Sequence, residues 1–262
     1  MRQRVITAVV ALILFIPLIV IGQMPLQIVM AMLGGIAVYE LFRMKGLEIK
    51  TPEGILAIIG TILLILPRST WYEFLPRTVT GNTLFYLIVM ALLVLPVFSK
   101  NEFTFDNVGF PVLVSLYIGT GFQNFISARE TGLHVLMYAL FIVWSTDIGA
   151  YMVGRKYGQR KLAPDISPNK TIEGSLGGIA SAMVVSLVYT MIWPMTYNIF
   201  AMLLLTILFS IVGQLGDLVE SSYKRYYGVK DSGNILPGHG GILDRFDSLL
   251  FVFPFMHLVG LF

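Results

Sequence analysis

The sequence predicts an all-α, polytopic integral membrane protein, and its composition and apolar runs carry that prediction. Hydrophobic residues make up 56% of the 262 residues, whereas charged residues make up 13%. Charged residues approach about a quarter of ordinary soluble domains. Apolar runs as long as a membrane-spanning helix recur along the whole chain. The loops between them are too short for a separate soluble domain, so we expect a single membrane domain over residues 1–262.

Apolar runs separated by charges and by Gly or Pro clusters predict about nine transmembrane helices. The predicted spans are residues 5–22, 25–42, 54–67, 83–98, 108–125, 133–153, 172–193, 197–220 and 246–262. No small-residue cleavage site follows the first run, so it is interpreted as a span and not as a signal peptide. The third and ninth runs are short, which leaves the count open by one or two.

The distribution of basic residues predicts the orientation of the chain. With nine alternating spans, 15 of the 18 Lys and Arg residues fall on one side, and only Arg68, Arg77 and Arg129 on the other. Because basic loops remain inside, we expect the N-terminus and the polar loops 154–171 and 221–245 in the cytoplasm. We therefore expect a multi-pass protein of the cell's inner (plasma) membrane.

Acidic residues recur at helical spacing near the end of the eighth span. Asp217, Glu220, Ser221 and Lys224 stand at i, i+3, i+4 and i+7, so they share one helix face. Ionisable groups cost several kcal/mol in hydrocarbon, so such a face predicts a functional site. A set of salt bridges that only locks helices together is the alternative.

Asp244 and Asp247 repeat the three-residue spacing at the start of the last span. With Asp217 they supply three carboxylates from two helices, and with Glu220 as well they supply four. The chain has no cysteine and three histidines, which argues against thiolate-bound zinc and favours a hard cation such as Mg²⁺. The residues leave open whether a second cation takes part.

Cations and glycines accompany these carboxylates. The cations are Lys224, Arg225, Lys230 and Arg245. Cations beside a metal site are typical of phosphoryl or nucleotidyl transfer, because both absorb charge on phosphate oxygens. Gly238, Gly240 and Gly241 around His239 permit a loop whose backbone amides approach a phosphate. No GxxxxGK[ST] or GxGxxG motif is present, so any nucleotide would have to be bound by a different arrangement of residues.

Residues 147–247 contain motifs that resemble those of a known family. The stretch from Ser221 to Asp247 resembles the signature of phosphatidate cytidylyltransferases, the CDP-diacylglycerol synthases, and departs from it only at Tyr223. Three upstream stretches are also similar to family motifs. They are Asp147-x-x-Ala150-Tyr151-x-x-Gly154-Arg155, Ser167-Pro168-Asn169-Lys170-Thr171-x-Glu173-Gly174 and Gly216-Asp217-Leu218-x-Glu220-Ser221. Residues 1–130 match in their pattern of spans, with a lone intramembrane Glu40.

The resemblance implies an enzyme that joins CTP to phosphatidate with Mg²⁺, giving CDP-diacylglycerol and pyrophosphate. It implies that Asp217, Asp244 and Asp247 hold the metal, and helical spacing adds Glu220. Lys224 and Arg225 complete the expected catalytic group. The expected substrate-binding residues are Asp147, Ser167, Lys170, Glu173, Ser221, Lys230, Asp231, His239, Gly240, Gly241 and Arg245.

The same resemblance assigns residues 131–262 to catalysis, in a polar cavity open to the cytoplasm, and residues 1–130 to packing and lipid contact. We expect the protein to lie in a lipid bilayer and to form a homodimer, and we expect no nucleic-acid partner. Glu40 and Arg43 stand at i, i+3, so we expect a local ion pair there.

Two other functions compete with this interpretation. A related CTP-dependent membrane enzyme, such as an ether-lipid cytidylyltransferase or a polyprenol kinase, would use similar residues on another lipid. A transporter would use buried carboxylates to carry protons or cations. The charges cluster at one membrane face and no paired broken spans recur, which favours an enzyme.

Overall fold

The computed structural model of the chain describes residues 2–100 and 102–262, with side chains given at Thr7 and from Val9 onward. The side chains of Arg2 and Arg4, which contribute to the predicted charge bias, lie outside the described set. Two compact units are formed: residues 1–126 with 231–244, and residues 127–230 with 245–262. We call them unit 1 and unit 2.

Unit 1 is helical. Its elements are α1 (Arg2–Ile21), α2 (Gln23–Met44), α3 (Pro52–Ile65), α4 (Arg68–Trp71), α5 (Gly81–Phe98) and most of α6 (Phe105–Thr131). Helix α3 packs against α2 and α5. The Ser115 hydroxyl on α6 donates to the Ala57 carbonyl on α3 at 2.9 Å. This bond satisfies a buried hydroxyl inside an apolar bundle, where an unpaired one would be costly.

Unit 2 contains the longer polar segments. Its elements are the end of α6, then α7 (Leu133–Tyr157), β1 (Lys161–Ala163), β2 (Ser167–Thr171), α8 (Ile172–Ile192), α9 (Ile199–Tyr226) and most of α10 (Leu243–Leu258). Strands β1 and β2 pair antiparallel, with Lys161 opposite Thr171. The segment 154–171, expected as a loop, therefore contains a short hairpin.

Within the described residues, five helices are long and apolar enough to cross a membrane: α2, α5, α7, α8 and α9. Val9–Ile21 and α3 are shorter apolar helices. These findings, with few strands, support the predicted all-α membrane protein. Helices overlap each predicted span, but the count of nine transmembrane helices stays a prediction.

Helix α9 continues to Tyr226, six residues past the end of the predicted membrane span at residue 220, as the expected helix face through Lys224 requires. Its start is capped by the Asn198 side chain, which accepts from the Ala201 amide at 3.0 Å. It ends before Gly228, whose φ of +68° suits the left-handed position that follows a helix. The extension is what places Lys224 and Arg225 on the helix.

Glycines bring α7 and α8 into close contact. A Cβ added at Gly178 would lie 2.7 Å from the Thr146 carbonyl oxygen and 3.2 Å from the Ala150 Cβ. A Cβ at Gly149 would lie 2.8 Å from the Gly177 carbonyl oxygen. Small residues at such positions let helix backbones approach closely inside membranes. The approach of α7 and α8 therefore depends on the absence of side chains at these positions.

We predict that Gly178→Ala destabilises the protein. Alanine raises helix propensity by about 1 kcal/mol over glycine, but at residue 178 its methyl group would meet the rigid Thr146 backbone. The matched control is Gly35→Ala on α2, where the nearest atom to an added Cβ is a side-chain carbon of Ile58 at 3.8 Å. Thermal unfolding in detergent should show a lower midpoint for Gly178→Ala and no loss for Gly35→Ala. An unchanged midpoint for Gly178→Ala would contradict the packing argument.

Candidate functional site

Three carboxylates of unit 2 converge. Ligand oxygens of Asp217 and Glu220 on α9 and of Asp247 on α10 all lie within 4.8 Å of one another. The Glu220 side chain is 2% exposed. Gly216 permits this approach, because a Cβ there would lie 2.7 Å from the Asp247 carbonyl oxygen. A missing side chain on α9 thus lets the α10 backbone at Asp247 lie against the acidic face.

Two lysines pair with two of these three carboxylates. Lys170 Nζ on β2 lies 2.5 Å from Asp217 Oδ2, and Lys224 Nζ lies 2.8 Å from Glu220 Oε2. The Ser221 hydroxyl donates to Asp217 Oδ1 at 3.4 Å. Like charges this close repel, and nearby cations lower the cost of keeping them ionised. The predicted shared face of α9 is therefore present, and the hairpin supplies the cation Lys170 to it.

A cavity of about 540 Å³ opens beside this group. Its lining includes a face of α7, the hairpin, and the adjoining turns of α8 and α9. The polar or charged lining residues are Asp147, Tyr151, Arg155, Ser167, Asn169, Lys170, Thr171, Ser175, Gln214 and Asp217. The volume lies within the range of about 300–1,000 Å³ typical of small-molecule sites. Four predicted site residues line it, namely Asp147, Ser167, Lys170 and Asp217.

The sequence interpretation gave no individual role to three cavity residues, Arg155, Asn169 and Gln214. Arg155 and Asn169 belong to motifs that were recognised as wholes, and helical spacing from Asp147 puts Arg155 two turns along the same face. Gln214 stands three residues before Asp217. Helical periodicity could have found Arg155 and Gln214, whereas Asn169 had no such signal because it lies on a strand.

Glu173 and Arg225, both predicted at the site, fasten the hairpin segment. Glu173 Oε2 accepts from the Gln159 and Arg160 amides at 3.0 and 3.1 Å, and Glu173 Oε1 pairs with Arg160 Nε at 3.0 Å. Arg225 Nε donates to the Ile166 carbonyl at 3.2 Å. Both side chains therefore act on the hairpin that carries Ser167 and Lys170.

Five predicted site residues belong to unit 1, in the segment 231–244. Its Leu236–Gly240 turn is closed by bonds from the Leu236 amide to the Gly240 carbonyl and from the His239 amide to the Leu236 carbonyl. Gly238 and Gly240 have φ of +78° and +84°, which favour glycine. The Asp244 Oδ2 accepts hydrogen bonds from this segment, including one from the Gly241 amide at 2.8 Å.

Three predicted phosphate-binding or substrate-binding residues are exposed, and a fourth is half-buried. Lys230, Asp231 and Arg245 have solvent-exposed side chains. His239 is half-buried, and its Nδ1 makes no hydrogen bond with any residue in the described part of the chain. Their substrate-binding roles stay predictions.

The expected ion pair between Glu40 and Arg43 is wrong. Glu40 is 2% exposed and its carboxylate accepts from the Ile242 and Leu243 amides, whereas Arg43 is exposed. The i, i+3 rule considers only helix neighbours, and the backbone amides that bind Glu40 come from about 200 residues further along the chain. No local sequence signal could have found them.

Apolar helices of membrane-spanning length and a carboxylate–lysine group beside a polar cavity define a membrane protein with an acidic site suited to phosphate chemistry. The chain belongs to the cytidylyltransferase family, whose sequence model matches residues 2–262. This confirms the family that the motifs of residues 147–247 indicated.

Relatives match over almost the whole chain. It is 46% identical to the phosphatidate cytidylyltransferase of Bacillus subtilis (strain 168), over 99% of this chain and 97% of that protein. It is 44% identical to the enzyme of that name from Staphylococcus haemolyticus (strain JCSC1435), over 99% and 98%. It is 43% identical to that from Staphylococcus aureus (strain COL), again over 99% and 98%.

We predict that Glu173→Gln loosens the segment before the hairpin. A carboxamide cannot pair ionically with Arg160, and only its oxygen can accept from backbone amides. Hydrogen exchange at Gln159 and Arg160 should therefore become faster. The matched control is Asp165→Asn, an exposed acidic residue between the two strands, which should leave exchange at these two amides unchanged. Equal exchange in Glu173→Gln and the unmodified protein would show that Glu173 does not fasten this segment.

Proposed function

We propose that this protein is a membrane enzyme that transfers CMP from CTP to phosphatidate, giving CDP-diacylglycerol and pyrophosphate for phospholipid synthesis. The relatives named phosphatidate cytidylyltransferase match nearly its full length. The structural observation that carries the proposal is the group of Asp217, Glu220 and Asp247 beside a polar cavity, in which lysines pair with Asp217 and Glu220.

The reaction makes few demands on acid–base chemistry. An oxygen of the phosphatidate phosphate attacks the α-phosphorus of CTP and forms a new P–O bond. The bond between the α-phosphorus and the bridging oxygen to the β-phosphate breaks, and pyrophosphate leaves with the electron pair. The nucleophile is already anionic, so the protein needs to neutralise charge and hold the groups in line. A site of carboxylates and lysines without a dedicated base fits this requirement.

The carboxylate group fits the expected Mg²⁺. Oxygens bound to one Mg²⁺ at about 2.0–2.1 Å are at most about 4.2 Å apart. The three ligand oxygens lie within 4.8 Å of one another. Small side-chain rotations would therefore bring them to the separation that one bound Mg²⁺ requires. We propose that Asp217, Glu220 and Asp247 hold the ion. A bound Mg²⁺ would neutralise charge on the phosphates of CTP.

Asp244, which the family signature also assigns to the metal, belongs to unit 1, and its role as a ligand stays a proposal. Its Oδ2 is held by donors of its own segment. Such bonds fix a carboxylate in one orientation, as the partners of metal ligands commonly do.

The chain's own cations would bind the phosphates. Lys170 and Arg155 line the cavity, and Lys224 lies on the carboxylate group. We propose that these side chains hold the triphosphate of CTP, with Arg225 and Glu173 keeping the hairpin in place. A ring N–H of His239 would donate a hydrogen bond to a phosphate oxygen. Arg suits phosphate because its planar guanidinium can donate two parallel hydrogen bonds.

The membrane setting follows from the lipid substrate. A site at the membrane surface lets CTP enter from water while the acyl chains stay in the bilayer, which avoids about 0.8 kcal/mol for each exposed methylene. We therefore propose a plasma-membrane protein whose cavity and N-terminus face the cytoplasm, consistent with the charge bias of its loops. A homodimer remains a proposal from the family resemblance, and a second cation remains a separate proposal.

We predict that the purified protein forms pyrophosphate from CTP, phosphatidate and magnesium, and does so poorly with ATP, GTP or UTP. Pyrophosphate and nucleoside diphosphate should be measured separately, because a kinase acting on a lipid hydroxyl would release CDP. The control omits phosphatidate. Release of CDP would establish a kinase, and gradient-driven ion flux without either product would establish a transporter.

We predict that Asp247→Asn lowers kcat by about 10²–10³-fold, the size of loss typical when one stabilising group is removed from a charged transition state. Its half-saturating magnesium concentration should rise, because the carboxamide is a weaker ligand. Magnesium titrations of pyrophosphate formation measure both effects. Asp165→Asn is the matched control and should behave like the unmodified enzyme. A normal rate and magnesium dependence in Asp247→Asn would exclude Asp247 from the metal group.

A further inference from the structure

A buried glutamate of α2 is bound to the segment 231–244 within unit 1. Glu40 Oε1 accepts from the Ile242 amide at 2.9 Å, and Glu40 Oε2 accepts from the Leu243 amide at 3.0 Å. The Ser232 hydroxyl lies 3.2 Å from Glu40 Oε2. An ionisable side chain within an apolar helix is costly and is kept where it has a role. The two amide donors and the neighbouring hydroxyl are therefore the first indication of what Glu40 does.

The two amides stand at the start of α10, whose first residue is Leu243. The first amides of a helix have no partner within it and carry partial positive charge. A carboxylate is the strongest side-chain acceptor for them. Glu40 thus caps the start of α10, although it lies on a helix about 200 residues earlier in the chain. This capping fixes the residue at which α10 begins and the direction of the backbone that leads into it.

The segment is fitted closely around this carboxylate. Asp244 Oδ2 accepts from the Ser232 amide, the Ser232 hydroxyl and the Gly241 amide, each at 2.8 Å. Ser232 Oγ therefore lies between the carboxylates of Glu40 and Asp244. A Cβ added at Gly233 would lie 2.9 Å from the Glu40 carboxyl carbon, and one at Gly241 would also meet the Glu40 carboxylate. Two glycines of the family signature are needed because Glu40 occupies the space beside them.

We propose that Glu40 is a positioning residue for the reaction, acting by holding the segment 231–244 in one conformation. The segment carries His239, Gly241 and Asp244, which the proposed function places at the phosphates and the metal, so the inference rests on that function. Glu40 does not itself touch substrate. It orients the segment through Ser232 and the start of α10.

The direct test is Glu40→Gln in the full-length protein. Glutamine keeps the size of the side chain, but its NH₂ group would face one of the two amide donors, so at most one of those bonds survives. We expect kcat to fall by about 10–100-fold with the KM for CTP changed less than about threefold, as for other supporting residues. Amide hydrogen exchange over residues 231–244 should accelerate by about tenfold or more. A merely stabilising residue would not combine these two changes.

A second variant tests the same link from the other side. Ser232→Ala removes the hydroxyl between the two carboxylates and adds no bulk. We expect a smaller loss of kcat, and we expect the double variant Glu40→Gln/Ser232→Ala to lose less than the product of the two single losses, because both changes release one segment. If Glu40→Gln does not fold, Ser232→Ala decides by the same kcat and exchange measurements.

The matched control is Gln27→Met, which removes another buried polar group of α2. Gln27 is 3% exposed and accepts from Trp71 Nε1 at 2.9 Å. This variant should retain normal kcat and normal exchange over residues 231–244. Normal kcat or normal exchange in Glu40→Gln would overturn the proposal. Should the unmodified protein form no pyrophosphate, the proposed function would fail, and the exchange measurement would still decide whether Glu40 holds the segment.

Discussion

A charged side chain inside an apolar helix bundle must be neutralised where it lies, and this constraint organises the structure. Burial without a partner costs several kcal/mol per charge. Glu220 meets Lys224 on its own helix, Asp217 meets Lys170 from the hairpin, and Glu40 meets backbone amides at the start of α10. In the last two cases the partner comes from a distant part of the chain. Neutralising a charge therefore also fixes the position of a polar segment against a helix.

Close helix packing supplies the second half of this arrangement. Short aspartate side chains from two helices meet only where the helices pack closely, and the distance between packed helix axes, about 8–10 Å, depends on the side chains at the contact. At Gly216 the α9 backbone meets the carbonyl of Asp247 without an intervening side chain. The next residue is Asp217. The glycine and the carboxylate are thus adjacent for a physical reason, since the approach that the glycine permits brings Asp217 and Glu220 of α9 close to Asp247 of α10.

The extent to which the sequence predicts this structure depends on the range of each interaction. Helices overlap every predicted span, and the shared face of Asp217, Glu220 and Lys224 is present, because hydropathy and 3.6-residue periodicity act over a few residues. The hairpin and the capping role of Glu40 could not be predicted. Both depend on partners that only the folded chain brings near, and the nearest sequence neighbour of Glu40, Arg43, pointed to the wrong partner.

The hairpin shows how position and charge are coupled at the site. It is attached to α9 by two cations, Lys170 on Asp217 and Arg225 on the Ile166 carbonyl. The family resemblance places both cations among the expected site residues. A triphosphate in the cavity would compete with Asp217 for Lys170, because phosphate is also a strong acceptor. In the proposed function, the charge of Lys170 that pairs with Asp217 would then become available to the substrate. Its release would leave Asp217 able to bind a cation in place of the lysine.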